Sequence, residues 1–222
     1  MFIGHFAVAL AAKKAAPKTS LAVLIAAAQL VDLLWPLFLL LGLEHVRIEI
    51  GNTVVTPLNF YDYPITHSLV GAVSWSLLFG GVYYFRKRLP REAAVLGLVV
   101  FSHWLLDLLT HRPDLPLVTS DSMKFGLGLW NSFAGTMIVE FGLFGIGIYL
   151  YYKTTTASDK TGTYALISLL IFLTVMHLGN LFGPPPPTVA MIAVAGNAMW
   201  LFVLWGWWIE KHRTVREIAL SI

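Results

Sequence analysis

Six stretches of this chain are apolar for roughly twenty residues at a time, and no other feature restricts its fold so strongly. They are Leu21–Leu43, Ile65–Phe85, Ala93–His111, Phe133–Tyr152, Tyr164–Phe182 and Val189–Ile209. An α-helix needs about 20 mostly apolar residues to cross the hydrocarbon core, and Leu21–Leu43 holds one charge in 23 residues. In lipid every backbone N–H and C=O must find a partner inside the segment, so the runs are read as helices. Residues 2–16 form a shorter apolar stretch, long enough to enter a membrane and marginal for crossing it. The expected fold class is therefore all-α: a polytopic transmembrane helical bundle of six spans plus a short N-terminal membrane helix. Neither an internal repeat nor a soluble domain is legible, so residues 1–222 are read as a single integral membrane domain.

Composition agrees. Only 12% of residues are charged, against about 25% in soluble domains. The net charge of +3 is scattered, which argues for loop charge and against a nucleic-acid partner. Cysteine is absent, so disulfides, iron–sulfur clusters and thiolate metal sites are excluded, and any metal must be held by nitrogen and oxygen. Lys13, Lys14 and Lys18 follow the apolar stretch Phe2–Ala12 instead of preceding it. That is the reverse of a cleavable signal, and the segment is expected to stay in the mature protein.

Basic residues orient the spans. Of the 15 Lys and Arg, all but Arg47, Arg112 and Lys124 fall in residues 13–18, 86–91, 153–160 and 211–216, loops of one parity. The positive-inside rule makes that side and the C-terminus cytoplasmic, and turns residues 44–64, 112–132 and 183–188 outward. Pro184–Pro187 reads as a stiff outer turn.

Ionisable residues inside the runs are the next constraint. A charge at the centre of a membrane helix costs about 2.5–3.5 kcal/mol on insertion scales, so each calls for a partner. Asp32, His103, Asp107 and Glu140 lie within spans, and His5, His67 and His111 lie near helix ends. At 1.5 Å per residue, His67 is about 3 Å, Asp107 about 6 Å, Glu140 about 10 Å, His103 about 12 Å and Asp32 about 16 Å from the outer end of its helix. All fit in the outer half of the membrane and converge on one outward-facing cavity. His103, Asp107 and His111, at intervals of four, share one helix face. Their outer pair is about 12 Å apart along the axis, too far for one ion, which makes Asp107 the natural bridge. Asp32, Asp107 and Glu140 bring three negative charges with no Lys or Arg inside the spans. Protonation or one or two divalent cations would balance them.

Each residue also has a structural reading. A lone intramembrane His commonly hydrogen-bonds between helices. Asp32 could satisfy backbone groups freed by a kink at Pro36. His45 and His212 read as solvated loop residues, the Trp and Tyr near span ends as interfacial belts, and His177 as a residue standing behind the ligands. The convergence of the whole polar set favours a metal site.

Gly4-His5-Phe6, Thr66-His67-Ser68-Leu69 and Ser102-His103-Trp104-Leu105-Leu106-Asp107 resemble the family of membrane-bound, metal-dependent hydrolases, some of which are described as LexA-binding inner-membrane proteins. His111-Arg112-Pro113-Asp114-Leu115-Pro116, Gly126-Leu127-Gly128-Leu129-Trp130-Asn131-Ser132 and Glu140 resemble a branch of that family. The match runs from His5 to about Glu140, so residues 1–153 would hold the metal-site helices and 154–222 two further spans. The ligand order also resembles zinc-dependent phospholipase C and P1-type nucleases. Those likenesses imply His5, Asp32, His67, His103, Asp107 and Glu140 as metal ligands, with His111 and His177 as possible additions. The pattern departs at Asp32-Leu33-Leu34, where an acidic pair is usual, and at Asp62-Tyr63-Pro64, where basic residues are usual.

The expectation is an inner-membrane hydrolase of bacteria that uses Zn, or Mn, to cleave an ester or phosphoester, with metal-bound hydroxide as nucleophile. Asp32 or Asp107 would serve as general base. Arg112 would hold a phosphate or carboxylate, or else anchor the interface. A membrane-embedded site meets lipids first, so a lipid or lipid-linked substrate follows from location. No His-Glu-x-x-His, Gly-x-Ser-x-Gly or Gly-x-x-x-x-Gly-Lys string is present, which sets aside the corresponding proteases, esterases and ATP-driven machines. The rival expectation is a proton- or metal-coupled transporter. A third is a catalytically inert scaffold that retains a structural metal.

Overall fold

The computed structural model describes residues 1–216; residues 217–222, the end of the expected domain, lie outside the described residues. In chain order the elements are α1 (Ile3–Ala15), α2 (Leu21–Ala28), α3 (Leu30–Leu40), β1 (His45–Ile48), β2 (Leu58–Asp62), α4 (Pro64–His67), α5 (Leu69–Lys87), α6 (Pro90–Thr110), β3 (Leu115–Pro116), β4 (Lys124–Phe125), α7 (Phe133–Thr154), β5 (Thr155–Ala157), α8 (Lys160–Phe182), α9 (Val189–Asn197), α10 (Trp200–Lys211) and β6 (Arg213–Val215). The protein is mostly helical, and the three sheets among the described residues are two-stranded antiparallel ribbons, β1–β2, β3–β4 and β5–β6.

Among the described residues four helical segments are long and apolar enough to cross a membrane: α6, α7, α8 and the continuous stretch Val189–Lys211 formed by α9 and α10. The bent pair α2 and α3 brings the number to five. This differs from the six spans expected, because the run Ile65–Phe85 is divided. Its start is the single turn α4, and α5 dilutes its leucines with Ser74, Ser76, Gly80 and Gly81. The expected span Leu21–Leu43 is likewise not one rod. It breaks at Gln29 with a 58° bend, while Pro36 sits inside α3. The chain is a multi-pass membrane protein whose outward surface is apolar: Leu98 of α6 and Ile138 of α7 are each about 70% exposed, whereas His103, Asp107 and Glu140 on the same two helices are buried.

The short α1 occupies the centre. Ile3, Phe6, Leu10 and Ala9 along it are fully buried, and they pack with Leu24, Leu96, Phe144 and Leu169 of the surrounding helices. Close approach is allowed by glycine. A Cβ at Gly147 of α7 would lie 2.5 Å from the Ala7 carbonyl oxygen, and one at Gly80 of α5 would lie 2.9 Å from that of Ala93 on α6. Small residues at crossings are how membrane helices gain dispersion contacts without a hydrophobic driving force between them. Side-chain caps define the starts of several helices: Ser20, Ser68, Ser132, Asp159 and Thr188 each accept from an N–H three residues on.

The two ends of the bundle differ in chemistry. At one end Lys13, expected as a loop charge, is instead helical and buried, donating to Glu210 Oε1 at 2.6 Å and to the Thr19 carbonyl at 2.7 Å. There β5 pairs with β6, and His212 lies 2.7 Å from Asp159. At the other end, the connections after α3 and α6 fold back as β1–β2 and β3–β4 over the ends of α4 and α6. The Gly-Leu-Gly string caps α6 there. Leu127 N donates to the Leu108 carbonyl and Gly128 N to that of His111. Gly126 has φ +159°, and a Cβ on it would lie 2.0 Å from the Arg112 carbonyl oxygen, so glycine is required at that crossing.

Candidate metal centre

Asp107, on the buried face of α6 and 2% exposed, is the hub. Its Oδ1 lies 3.1 Å from His5 Nε2, 3.9 Å from His111 Nε2 and 2.7 Å from the Met1 amino group. Its Oδ2 lies 3.1 Å from His103 Nε2 and 3.8 Å from His67 Nε2. The two carboxylate oxygens thus serve two sets of imidazoles. Asp32 completes the second set, at 3.4 Å from His67 Nε2 through Oδ1 and 3.6 Å from His103 Nε2 through Oδ2. Among the described residues two groups therefore have ligand atoms close enough for a metal ion, His5–His103–Asp107 and Asp32–His67–His103, each with all atoms within 4.8 Å of one another. His103 belongs to both, and its ring stacks on that of His5 at 3.5 Å with 4° between planes.

The outer hydrogen bonds orient these rings. Because the helix breaks after Ala28, the Ala28 carbonyl is free of an intrahelical partner and accepts from His103 Nδ1 at 2.8 Å. His67 Nδ1 lies 2.6 Å from Thr66 Oγ1, whose own hydrogen goes to Glu44 Oε2 at 2.7 Å. The threonine oxygen must then accept, so Nδ1 carries the proton. Glu44 Oε1 also accepts from Thr66 N at 2.8 Å. His111 Nδ1 lies 2.9 Å from Asp114 Oδ1, which accepts from Tyr63 Oη at 3.0 Å. In all three rings the inner nitrogen Nε2 is left as the lone pair facing the centre. Burial pushes the Glu44 carboxyl up from its ordinary range. Burial, with Asp114 beside it, holds the Tyr63 hydroxyl well above its own.

This arrangement meets the requirement for a cation. His103 Nε2 is buried and has no hydrogen-bond partner, yet it faces carboxylate oxygens at 3.1 and 3.6 Å. Lone pair against lone pair is unfavourable unless a second proton or a metal ion lies between them. Among the described residues no Lys or Arg pairs with Asp32 or Asp107; the Met1 amino group is the cation on Asp107, at Oδ1, and the Oδ2 side shared with Asp32 and His103 has none. The nitrogen and oxygen donors present, with imidazoles held by outer hydrogen bonds, could hold a metal ion.

Other expected site residues stand differently. Glu140 is buried but spends Oε2 on the start of α1, accepting from Phe2 N at 2.9 Å and Gly4 N at 3.3 Å, and it belongs to neither ligand group. His177 is buried with both ring nitrogens unpartnered, against Phe2 and Phe141 at 6.2 and 5.3 Å. Arg112 follows His111 at the surface, where Nη2 donates to Asn59 Oδ1 at 2.8 Å and Nε lies 3.6 Å from Asp114 Oδ2. Sequence reasoning missed Glu44, Thr66, Tyr63, Asp114 and the Ala28 carbonyl. Asp114, three residues after His111, and Thr66, next to His67, had a local signal. Glu44 had none.

No family model, no curated protein and no solved structure matches this chain. The likeness to membrane-bound hydrolases stands on the motifs alone.

Proposed function

We propose that the protein is a six-span inner-membrane metal-dependent hydrolase, acting on an ester or phosphoester of a lipid or lipid-linked substrate. The observation that carries this reading is the set of separations around His67, His103, Asp32 and Asp107, from 3.1 to 3.8 Å. Ligands about 2.0–2.1 Å from a tetrahedral ion are about 3.3 Å from one another. In this reading α5 is the remaining span, the basic end is cytoplasmic, and the centre lies toward the outer leaflet.

When bound, a divalent ion supplies a water ionised near neutral pH and a positive charge for the developing oxyanion. The protein's own residues do the rest. His5, His103 and Asp107 form one set of holding groups and Asp32, His67 and His103 the other, with His111 Nε2 3.9 Å from Asp107 Oδ1 beside the first. The side chain of Asp32 is 25% exposed while that of Asp107 is 2% exposed, so Asp32 is the carboxylate that can meet both the centre and an arriving substrate. It is assigned the proton of the attacking water. Arg112, on the outer side of His111, is assigned the anionic part of the substrate, since its side chain is 35% exposed and guanidinium forks phosphate and carboxylate alike.

Elemental mass spectrometry of the detergent-purified protein tests the reading. One or two equivalents of Zn or Mn, followed by turnover on an ester and phosphoester panel, is the expected result. Protein that stays metal-free after reconstitution rejects it.

A second reading, a proton- or metal-coupled transporter, is favoured by the 58° break in the helix pair that carries Asp32. Discontinuous membrane helices commonly surround transported ions. Metal- or proton-driven uptake into proteoliposomes would select it.

A further inference from the structure

Two carboxylates outside the spans are buried where burial is expensive. Glu44 lies between α3 and β1 and is 1% exposed, and Asp114 precedes β3 and is 5% exposed. A buried ionisable group costs several kcal/mol unless its hydrogen bonds are made. Each of these makes them toward one imidazole of the centre. Capping of α4 would be satisfied by Thr66 N on one oxygen of Glu44. The second oxygen goes to the Thr66 hydroxyl, which leaves that hydroxyl oxygen as the acceptor for His67 Nδ1. Asp114 reaches His111 Nδ1 without an intermediary and is itself held by Tyr63. The extramembrane segments are therefore more than connectors between helices. They close over the outer end of the bundle and carry groups that decide the tautomer and direction of two rings rooted at helix ends.

We infer that Glu44, acting through Thr66 on His67, and Asp114, acting directly on His111, are positioning residues that aim both Nε2 atoms at a divalent metal ion. This rests on the metal-centre reading above. Removing an outer partner of a ligating imidazole typically weakens metal binding by about 10–100-fold, because the ring is released to rotate and its basicity falls. Substrate plays no part in the inference, so metal binding alone can test it.

The probe is Co2+, titrated into the detergent-purified full chain, with affinity and the visible ligand-field spectrum read together. Wild type should bind and give a low-coordinate spectrum. Glu44→Gln and Asp114→Asn should bind about 10–100-fold more weakly, with shifted bands. Thr66→Val should reproduce Glu44→Gln, Thr66→Ser should restore wild-type behaviour, and Thr66→Val with Glu44→Gln should be no worse than either alone, since the two share one relay. The threonine pair carries the test where Glu44→Gln does not fold. Variants that are monodisperse and bind Co2+ with wild-type affinity and spectrum overturn the inference and leave the metal centre standing. A wild type that binds no Co2+ overturns both.

Discussion

His103 Nδ1 donates to the carbonyl oxygen of Ala28 at 2.8 Å, across the point where α2 ends and before α3 begins. The break supplies the acceptor, and the acceptor leaves His103 Nε2 pointing between Asp32 and Asp107. His103→Ala and Asp107→Asn should each lose bound metal by more than the roughly 100-fold upper range of an outer-partner change. Metal content by elemental mass spectrometry, with melting of the purified variants as the folding control, checks this. Full metal in both variants removes the centre from these residues.

Glu140 gives an opposite expectation. Its Oε2 accepts from Phe2 N and Gly4 N, the arrangement of a helix cap supplied from another helix. Glu140→Gln should keep metal content while lowering stability by about 0.5–2 kcal/mol, the range for loss of a cap. Loss of metal without loss of stability would make Glu140 a ligand.

The α1–α7 crossing can be tested by contrast within one helix. Gly147 faces the Ala7 backbone at 2.5 Å from a modest Cβ, and Gly142 has nothing within 4 Å. Gly147→Val should destabilise by about 1–3 kcal/mol through overpacking, and it should reduce metal content because His5 rides on the displaced helix. Gly142→Val should be close to neutral. Thermal melts in one detergent decide it.

Lys13 and Glu210 tie α1 to α10 at the basic end. Lys13→Met strands the Thr19 carbonyl and leaves Glu210 without its cation, although the side chain of Glu210 is 28% exposed and can reach water. A cost of about 1–3 kcal/mol is expected, below the range for a fully buried pair. Combining it with Glu210→Gln should recover part of the loss. Equal melting of wild type and Lys13→Met would show that the pair contributes nothing.

Acid should loosen the start of α8. The His212 hydrogen bond, followed by that of the Gly162 N–H, holds the Asp159 carboxyl below its ordinary range. A lowered folded value means that the contribution is present above about pH 4, the unfolded value, and is lost as pH falls through the folded one. Hydrogen-exchange protection at Gly162, corrected for intrinsic rates, should fall over that acidic window in wild type. It should stay flat in Asp159→Asn, which keeps an acceptor but does not titrate. Protection that is equally flat in both would refute the assignment.

The sequence by itself determined the membrane class, the apolar runs and the polar residues they carry. Those depend on local quantities: hydrophobic length against bilayer thickness, and the helical period that puts His103, Asp107 and His111 on one face. It did not determine where helices break or which partner each polar atom takes. The break at Gln29 leaves no mark comparable to the proline at 36, and the division of Ile65–Phe85 separates a run that composition alone joins. Tertiary structure decided that Glu140 caps α1, that Lys13 is buried, and that Glu44 and Asp114 stand behind His67 and His111. Glu44 meets Thr66 across 22 residues and His103 meets Ala28 across 75. Such pairings are chosen by which buried donors and acceptors can be satisfied together once the helices pack, and a span's own residues cannot express that condition.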